Sequence, residues 1–375
     1  MAIVGGGIIG CSIAFELAAD KLKIVVLDRQ QPGREASWAA AGMLSPAPDS
    51  PRDIPLVPLA RESLSLYPEF VRAVEEASGK TVDYTRKGAL QIFIGPSAEA
   101  ERGAMLAEHR GLGLASEPIS GVEARKLEPE LGPAAHAVLY LPKEEAVDPR
   151  LLMDALLAAA ANRGVEIRPG WDVTSIIREG NCCKGVVAGG ESIQARHVIV
   201  AAGCFSAEID AGAKLPIPSI PTRPVRGQML AFRSRGLAMQ HVLRSERGYL
   251  VPRSDGRIVA GSTLEEAGFD NSVTAAGVKQ ILESAVQLCP DLAEAEILEK
   301  WSGLRPGTPD DLPILGPTGA EGLLLATGHY RNGILLAPVT AKLVREWVMR
   351  GRSTFNTEAF SPLRFESAKR ESAII

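Results

Sequence analysis

Residues 2–28 read AIVGGGIIGCSIAFELAADKLKIVVLD, and the fold follows from how that run divides. Ala2, Ile3 and Val4 form a clipped apolar strand, the glycine run turns the chain, and an apolar helix extends to about residue 19. Residues 24–27 are β-branched or aliphatic and form a second buried strand, which ends at Asp28. This is a βαβ unit carrying G-x-G-x-x-G over Gly5, Gly7 and Gly10. Gly5 permits the tight turn, Gly7 lets the backbone approach a pyrophosphate, and Gly10 lets the helix pack close to the strand. The helix N-terminus then faces the phosphates. Asp28 follows about 20 residues after the first glycine, where a carboxylate accepts from a ribose hydroxyl. The glycine pattern alone is weak. Its place between a strand and a helix, with Asp28 at the next strand's end, makes it a dinucleotide site.

Further along, residues 34–47 are rich in Ala, Gly and Ser without clear periodicity. Helices are expected over 59–77, closed by Ser78 and Gly79, over 151–163, closed by Gly164, over 278–288 and over 333–349. Strands are expected at 88–94 and 137–141, with a Glu- and Arg-rich helical stretch between them. Others are expected at 165–168, 172–178 and 197–201, returning to the first sheet, and at 228–232, 249–252, 257–261 and 323–326. The Pro-rich stretches 46–58 and 216–224 read as boundary loops. Alternating βαβ at both ends with mixed strands between predicts an α/β chain of mixed α+β character. A Rossmann-like dinucleotide-binding domain (1–82, 146–221 and 301–375) would interleave with an antiparallel-sheet substrate domain (83–145 and 222–300).

Composition removes several classes. With 46% hydrophobic and 23% charged residues the chain is an ordinary globular one. A net charge of -4 leaves no basic footprint for nucleic acid or an anionic membrane. Five cysteines without a C-x-x-C pair suggest neither zinc nor a disulfide framework, and no metal is expected. Cys182 and Cys183 read as bystander thiols in a turn. The apolar N-terminus lacks a basic n-region and carries Glu16 and Asp20, unlike a signal peptide. A soluble, cytoplasmic protein is expected.

The choice between FAD and NAD rests on two later segments. Residues 195–203 form a strand ending in an Ala-Gly turn at Gly203, similar to the second nucleotide-contacting strand of flavoproteins. Residues 324–333 break from a strand through a glycine loop into a helix, whose N-terminus would stabilise an anionic reduced flavin. Together with 34–43 (REASWAAAGM), 303–308 (GLRPGT) and 328–338 (GHYRNGILLAP), they resemble the D-amino acid oxidase family of FAD-dependent amine oxidases, in particular its glycine oxidases of thiamine biosynthesis. The likeness runs through essentially the whole chain.

The resemblance implies non-covalent FAD held by Gly5, Gly7, Ile8, Ile9, Gly10, Asp28, Arg29, Ala36, Ser37, Ala41, Gly42, Met43, Val173 and Gly203. His329, Tyr330, Arg331, Asn332, Gly333, Ile334 and Leu335 complete that set. It implies that Arg305 holds the substrate carboxylate, for which a planar guanidinium fork is well suited. Tyr249 and Arg331 would assist, and Met43, Arg247 and Leu264 would line the pocket. Arg247 and Leu264 depart from the histidine and methionine of the family pattern. The implied reaction is hydride transfer from a small amine, glycine first, to flavin N5. It gives an imine, then glyoxylate and ammonia, with O2 reduced to H2O2 and the imine feeding the thiazole of thiamine. A homotetramer is also implied. Sarcosine or other N-alkyl amino acid oxidation, D-amino acid dehydrogenation and a flavin domain acting on modified tRNA are the alternatives. The first relies in some relatives on a cysteine near the C-terminal glycine loop, and no cysteine follows Cys289 here.

Overall fold

The computed structural model describes residues 1–211, 220–233, 236 and 238–365. Residues 216–219 of one expected boundary loop lie outside the described residues. Two large sheets organise the chain. The first has six strands in the order Ile314–Pro317, Leu323–Thr327, Val198–Val200, Ala2–Val4, Val25–Asp28 and Glu166–Pro169. All pairings are parallel except that of Ile314–Pro317. Its strands alternate sides as a pleat requires. Ile3, Val26, Ile199 and Leu324 pack against helices Ile8–Ala18, Val57–Ser78, Pro149–Asn162 and Gly333–Arg350. Val4, Leu27, Val200 and Leu325 pack against a three-stranded meander on the other side.

Local chemistry sets the helix limits. Val57–Ser78 stops at Gly79 with φ +69°, a left-handed cap that glycine adopts without penalty. Pro149–Asn162 starts with proline at its first position, behind Asp148, whose side chain accepts from Arg150 and Leu151 backbone N–H groups.

The second sheet has eight strands in the order Ile297–Gly307, Arg223–Arg233, Arg257–Gly261, Gly248–Pro252, Val242–Ser245, Ala89–Phe93, Ala137–Leu141 and Glu117–Ser120. It is antiparallel apart from one parallel junction, Val242–Ser245 beside Ala89–Phe93. Helix Ala275–Leu288 covers one face through Ile281, Ala285 and Leu288. Ala39, Ala41, Met229 and Trp301 pack on the opposite face.

Three expectations need correcting. The strand Val173–Glu179 does not return to the first sheet; it opens the separate meander with Cys182–Ala188 and Glu191–Gln194. Cys182 and Cys183 therefore start a strand instead of occupying the turn, which is made by Gly180 at φ +59° and Asn181. The Pro-rich 46–58 stretch is not loop throughout, since Pro51–Leu56 is a 3-10 helix capped by Ser50 and Asp53. Among the described residues no helix is long and apolar enough to cross a membrane.

Candidate functional site

A cavity of about 1670 Å³ is lined from both large sheets. Every site residue expected from the sequence lines it except Gly10 and Leu335, which lie beneath its floor. A Cβ at Gly10 would overlap the Gly5 carbonyl oxygen, so this glycine fixes the approach of helix to loop. Leu335 is buried in the helical core.

One end of the cavity is built from backbone. Gly5 turns at φ +102°, and helix Ile8–Ala18 begins after Gly7 with no acidic residue in its first turn. Ser37 Oγ accepts from Ile8 N at 2.9 Å, drawing residues 36–41 over the loop. Asp28 accepts from Gly6 N at 2.7 Å through one oxygen and from Gln30 N at 2.8 Å through the other. Each carboxylate oxygen keeps a second lone pair for a ribose hydroxyl. Arg29 lies 3.3 Å over the Phe205 ring, Val173 is buried, and Gly203 turns at φ +58°.

The strand Leu323–Thr327 breaks at Gly328, φ +70°, and Tyr330, φ +49°, a conformation costly for a bulky residue. Tyr330 N donates to Pro306 O at 3.0 Å, tying this turn to the neighbouring sheet. His329 is buried with Nε2 3.0 Å from Thr340 Oγ1. Burial pushes its imidazole down to about 3, so it is neutral. Helix Gly333–Arg350 then starts without a side-chain cap or an acidic first turn. The cavity thus receives two helix N-termini without an acidic first turn, whose remaining N–H groups and partial positive charge suit a phosphate and an anionic ring. With the ribose acceptor Asp28 and the open glycine loop, this donor set fits FAD.

The other end is built from side chains. Short helix Ala36–Ala39 packs against Ile297–Gly307 at Gly303, where a Cβ would overlap that of Ala39. Trp301 Nε1 donates to Ala39 O at 3.1 Å. The Arg150 guanidinium lies 3.5 Å from the Trp38 ring and pairs with Glu299 at 2.7 Å. Next to this clamp Arg305 crosses Gly227, whose missing side chain leaves the space its guanidinium fills. Its NH1 donates to the carbonyls of Arg226 (3.3 Å) and Thr263 (3.2 Å), and its NH2 to Ser262 Oγ (2.7 Å). Of the five guanidinium N–H groups, the Nε–H and one on NH2 keep no acceptor among the described residues. That is the edge a carboxylate takes with both oxygens. The Tyr249 hydroxyl donates to Met229 Sδ at 3.3 Å, a weak acceptor readily exchanged for an oxygen.

Met43 is half-buried in the wall. Arg247, in the turn between two strands, and Leu264, 55% exposed, stand at the mouth. Arg331 is also peripheral: it is exposed and pairs with Asp49 at 2.9 Å. Several lining residues escaped the sequence reading, among them Ser262, Thr263, Gln91, His109 and Arg244. Arg244 lies in a strand that was not expected. The matched apolar pair Leu243 and Leu250 flanking Glu246-Arg247 was the available hairpin signal. Among the described residues no group of three His, Cys, Asp or Glu side chains could hold a metal.

Residues 1–347 match the protein family described as FAD dependent oxidoreductase. The glycine oxidase of Geobacillus kaustophilus is 35% identical over 372 residues, 97% of this chain and 96% of that protein. Its crystal structure superposes with a TM-score of 0.90, covering 96% of this chain and 97% of that one. The bifunctional protein ThiO/ThiG of Trichormus variabilis is 36% identical over 97% of this chain, which spans only 55% of that longer protein.

Proposed function

The chain belongs to the FAD dependent oxidoreductase family, and on that footing we propose that it oxidises glycine and other small amines bearing a carboxylate. When bound, FAD supplies the redox step, removing two electrons with the Cα hydrogen and passing them to O2 to give H2O2. The protein's part is orientation. Arg305 holds both carboxylate oxygens on its free edge, and Ser262, Thr263 and Arg226 keep that edge from rotating. Tyr249 donates its hydroxyl to the same carboxylate. Fixing one end of so small a molecule leaves its Cα–H a narrow range of directions, which lowers the entropic part of the barrier. The imine then takes up water to give glyoxylate and ammonia.

The observation that carries this reading is the unengaged guanidinium edge of Arg305, on the cavity that the glycine loop and two helix N-termini also line. Cys204 lines that cavity too, but burial pushes its thiol up to about 12. A protonated thiol is a poor nucleophile, which supports non-covalent FAD. The resemblance to the glycine oxidases of thiamine biosynthesis supports a role in making the imine used for the thiazole of thiamine. The family likeness supports a cytoplasmic homotetramer. A second reading, preference for N-alkyl amino acids such as sarcosine, draws support from the open mouth at Arg247 and Leu264. Peroxide release and flavin reduction, followed over glycine, sarcosine, D-alanine and D-phenylalanine, test the proposal. Glycine and sarcosine should lead. Turnover of D-phenylalanine at much higher kcat/KM than glycine would overturn it.

A further inference from the structure

Arg305 takes its acceptors from two segments. The Arg226 carbonyl belongs to strand Arg223–Arg233, whereas Ser262 and Thr263 belong to the chain leaving strand Arg257–Gly261. A guanidinium lying in the space left by Gly227 points only as well as those acceptors are held. Residues 262–274 contain neither helix nor strand beyond one backbone bridge at Glu265. What fixes them must therefore come largely from side chains.

Glu265 gathers them. Its N–H donates to Arg226 O at 3.0 Å, and its carbonyl accepts from Arg226 N at 2.9 Å. Its Oε2 accepts from Arg226 NH2 at 2.6 Å and Nε at 3.2 Å. Its Oε1 accepts from Gln228 Nε2 at 2.7 Å and from the Thr263 hydroxyl. Thr263 Oγ1 in turn accepts from Gln228 N at 2.9 Å. The buried Gln228 amide is fixed from its far side by Thr274, the N-cap of helix Ala275–Leu288. Its Nε2 donates to Thr274 Oγ1 at 3.0 Å, and its Oε1 accepts from Thr274 N at 2.8 Å. The connection thus runs from a helix cap through Gln228 and Glu265 to both carbonyls under Arg305. Glu265 also lines the cavity, where a loose carboxylate would take the free edge of Arg305 for itself. With both oxygens engaged by these four donors, it does not. Its pairing with Arg226 also offsets a buried cation beside Arg305 in the strand pair, so an incoming carboxylate is not drawn there.

We infer that Glu265 is a positioning residue for the carboxylate anchor. Through Thr263, Gln228 and Arg226 it holds the acceptors on which the Arg305 guanidinium rests, and so sets the direction of its free edge. This rests on the reading of Arg305 as that anchor. Glu265 touches neither the substrate nor Arg305 itself; it acts through the two carbonyls. Its loss should therefore weaken whatever binds by a carboxylate and spare the cofactor end.

Glu265→Gln keeps the size of the side chain and removes its charge. The variant should carry the parent's flavin content, while kcat/KM for glycine falls about 10-fold or more, chiefly in KM. Acetate, a carboxylate without the amine, should weaken as a competitive inhibitor by a similar factor. In Arg305→Ala nothing remains to be oriented, so adding Glu265→Gln should change either constant by less than about 2-fold. Glu265→Gln also deprives the buried Arg226 of its nearer charge partner, which costs stability. Thr263→Val is therefore the second variant: it leaves the Arg226–Glu265 pair and removes one hydroxyl. It should show a smaller loss in the same direction, with the same non-additivity, and it decides alone should Glu265→Gln not fold. Glycine KM within about 2-fold of the parent's in every variant that folds would overturn the positioning role. So would a loss that acetate does not share, or one that adds in full to Arg305→Ala. If Arg305→Ala itself leaves glycine and acetate unaffected, the anchor reading fails, and the positioning role with it.

Discussion

The two ends of the cavity are made differently. The end that fits the cofactor uses backbone: a glycine turn, two helix N-termini, and short segments in which neighbours in sequence are neighbours in space. The end that fits the substrate uses side chains from separate strands, with Arg305, Ser262 and Tyr249 brought to one cavity only because the eight-stranded sheet sets its register. Backbone sites tolerate little change in shape and much in side chain, whereas side-chain sites behave the opposite way. A redox fold can thus hold its cofactor constant while its substrate wall varies.

The largest effect should come from the backbone end. Gly10→Ala places a Cβ on the Gly5 carbonyl, forcing helix and loop apart at a cost of about 1–3 kcal/mol or more. The variant should purify with under about a tenth of the parent's flavin per chain, read from absorbance after acid release. Full flavin occupancy would show that the close approach is not needed.

At the side-chain end, Gly227→Ala intrudes on the space taken by the Arg305 guanidinium. Flavin content should stay near the parent's while kcat/KM for glycine falls about 10- to 100-fold, the equivalent of about 1.4–3 kcal/mol. Equal loss of flavin and activity would erase the distinction between the two ends.

A smaller effect concerns pH. His329 is neutral in the fold because burial lowers its pKa to about 3, below its unfolded value of about 6.5. As pH falls through that unfolded value, the unfolded chain takes a proton that the fold refuses, so stability is lost downward. Between pH 6.5 and 5.5 the loss should be about 1 kcal/mol. Denaturant midpoints for the parent and His329→Gln should show that slope in the first and its reduction in the second.

The smallest effect should follow Arg331→Ala. Its partner Asp49 is exposed, and exposed pairs contribute about 0–1 kcal/mol. Glycine kcat/KM should change less than about 5-fold. A loss as large as that expected for Arg305 would move Arg331 from the rim into the anchor.

The same contrast decides what the sequence could tell. Gly5, Gly7, Asp28 and the 329–334 turn were legible because their function depends on local spacing and on residue types with few other uses. Arg305 and Tyr249 were legible only through a family motif, since nothing local distinguishes a cavity arginine from a surface one. Gly227, Ser262 and Arg244 were not legible. Their meaning comes from cross-strand register, and the strand carrying Arg244 is four residues long and follows no clear alternation. The meander at Val173–Glu179 was misassigned for a related reason: strand propensity identifies a strand but not its sheet.

The central claim is that Arg305 anchors a carboxylate. It is met most directly by steady-state kinetics of Arg305→Ala and Arg305→Lys on glycine and on a small amine without a carboxylate, with flavin content measured in parallel. A charge-assisted contact of about 1.5–3 kcal/mol predicts about a 10- to 150-fold fall in kcat/KM for glycine in Arg305→Ala, mostly in KM. Lysine should recover part of it, flavin should be retained, and the carboxylate-free amine should lose far less. Arg305→Ala oxidising glycine as well as the parent would contradict the account.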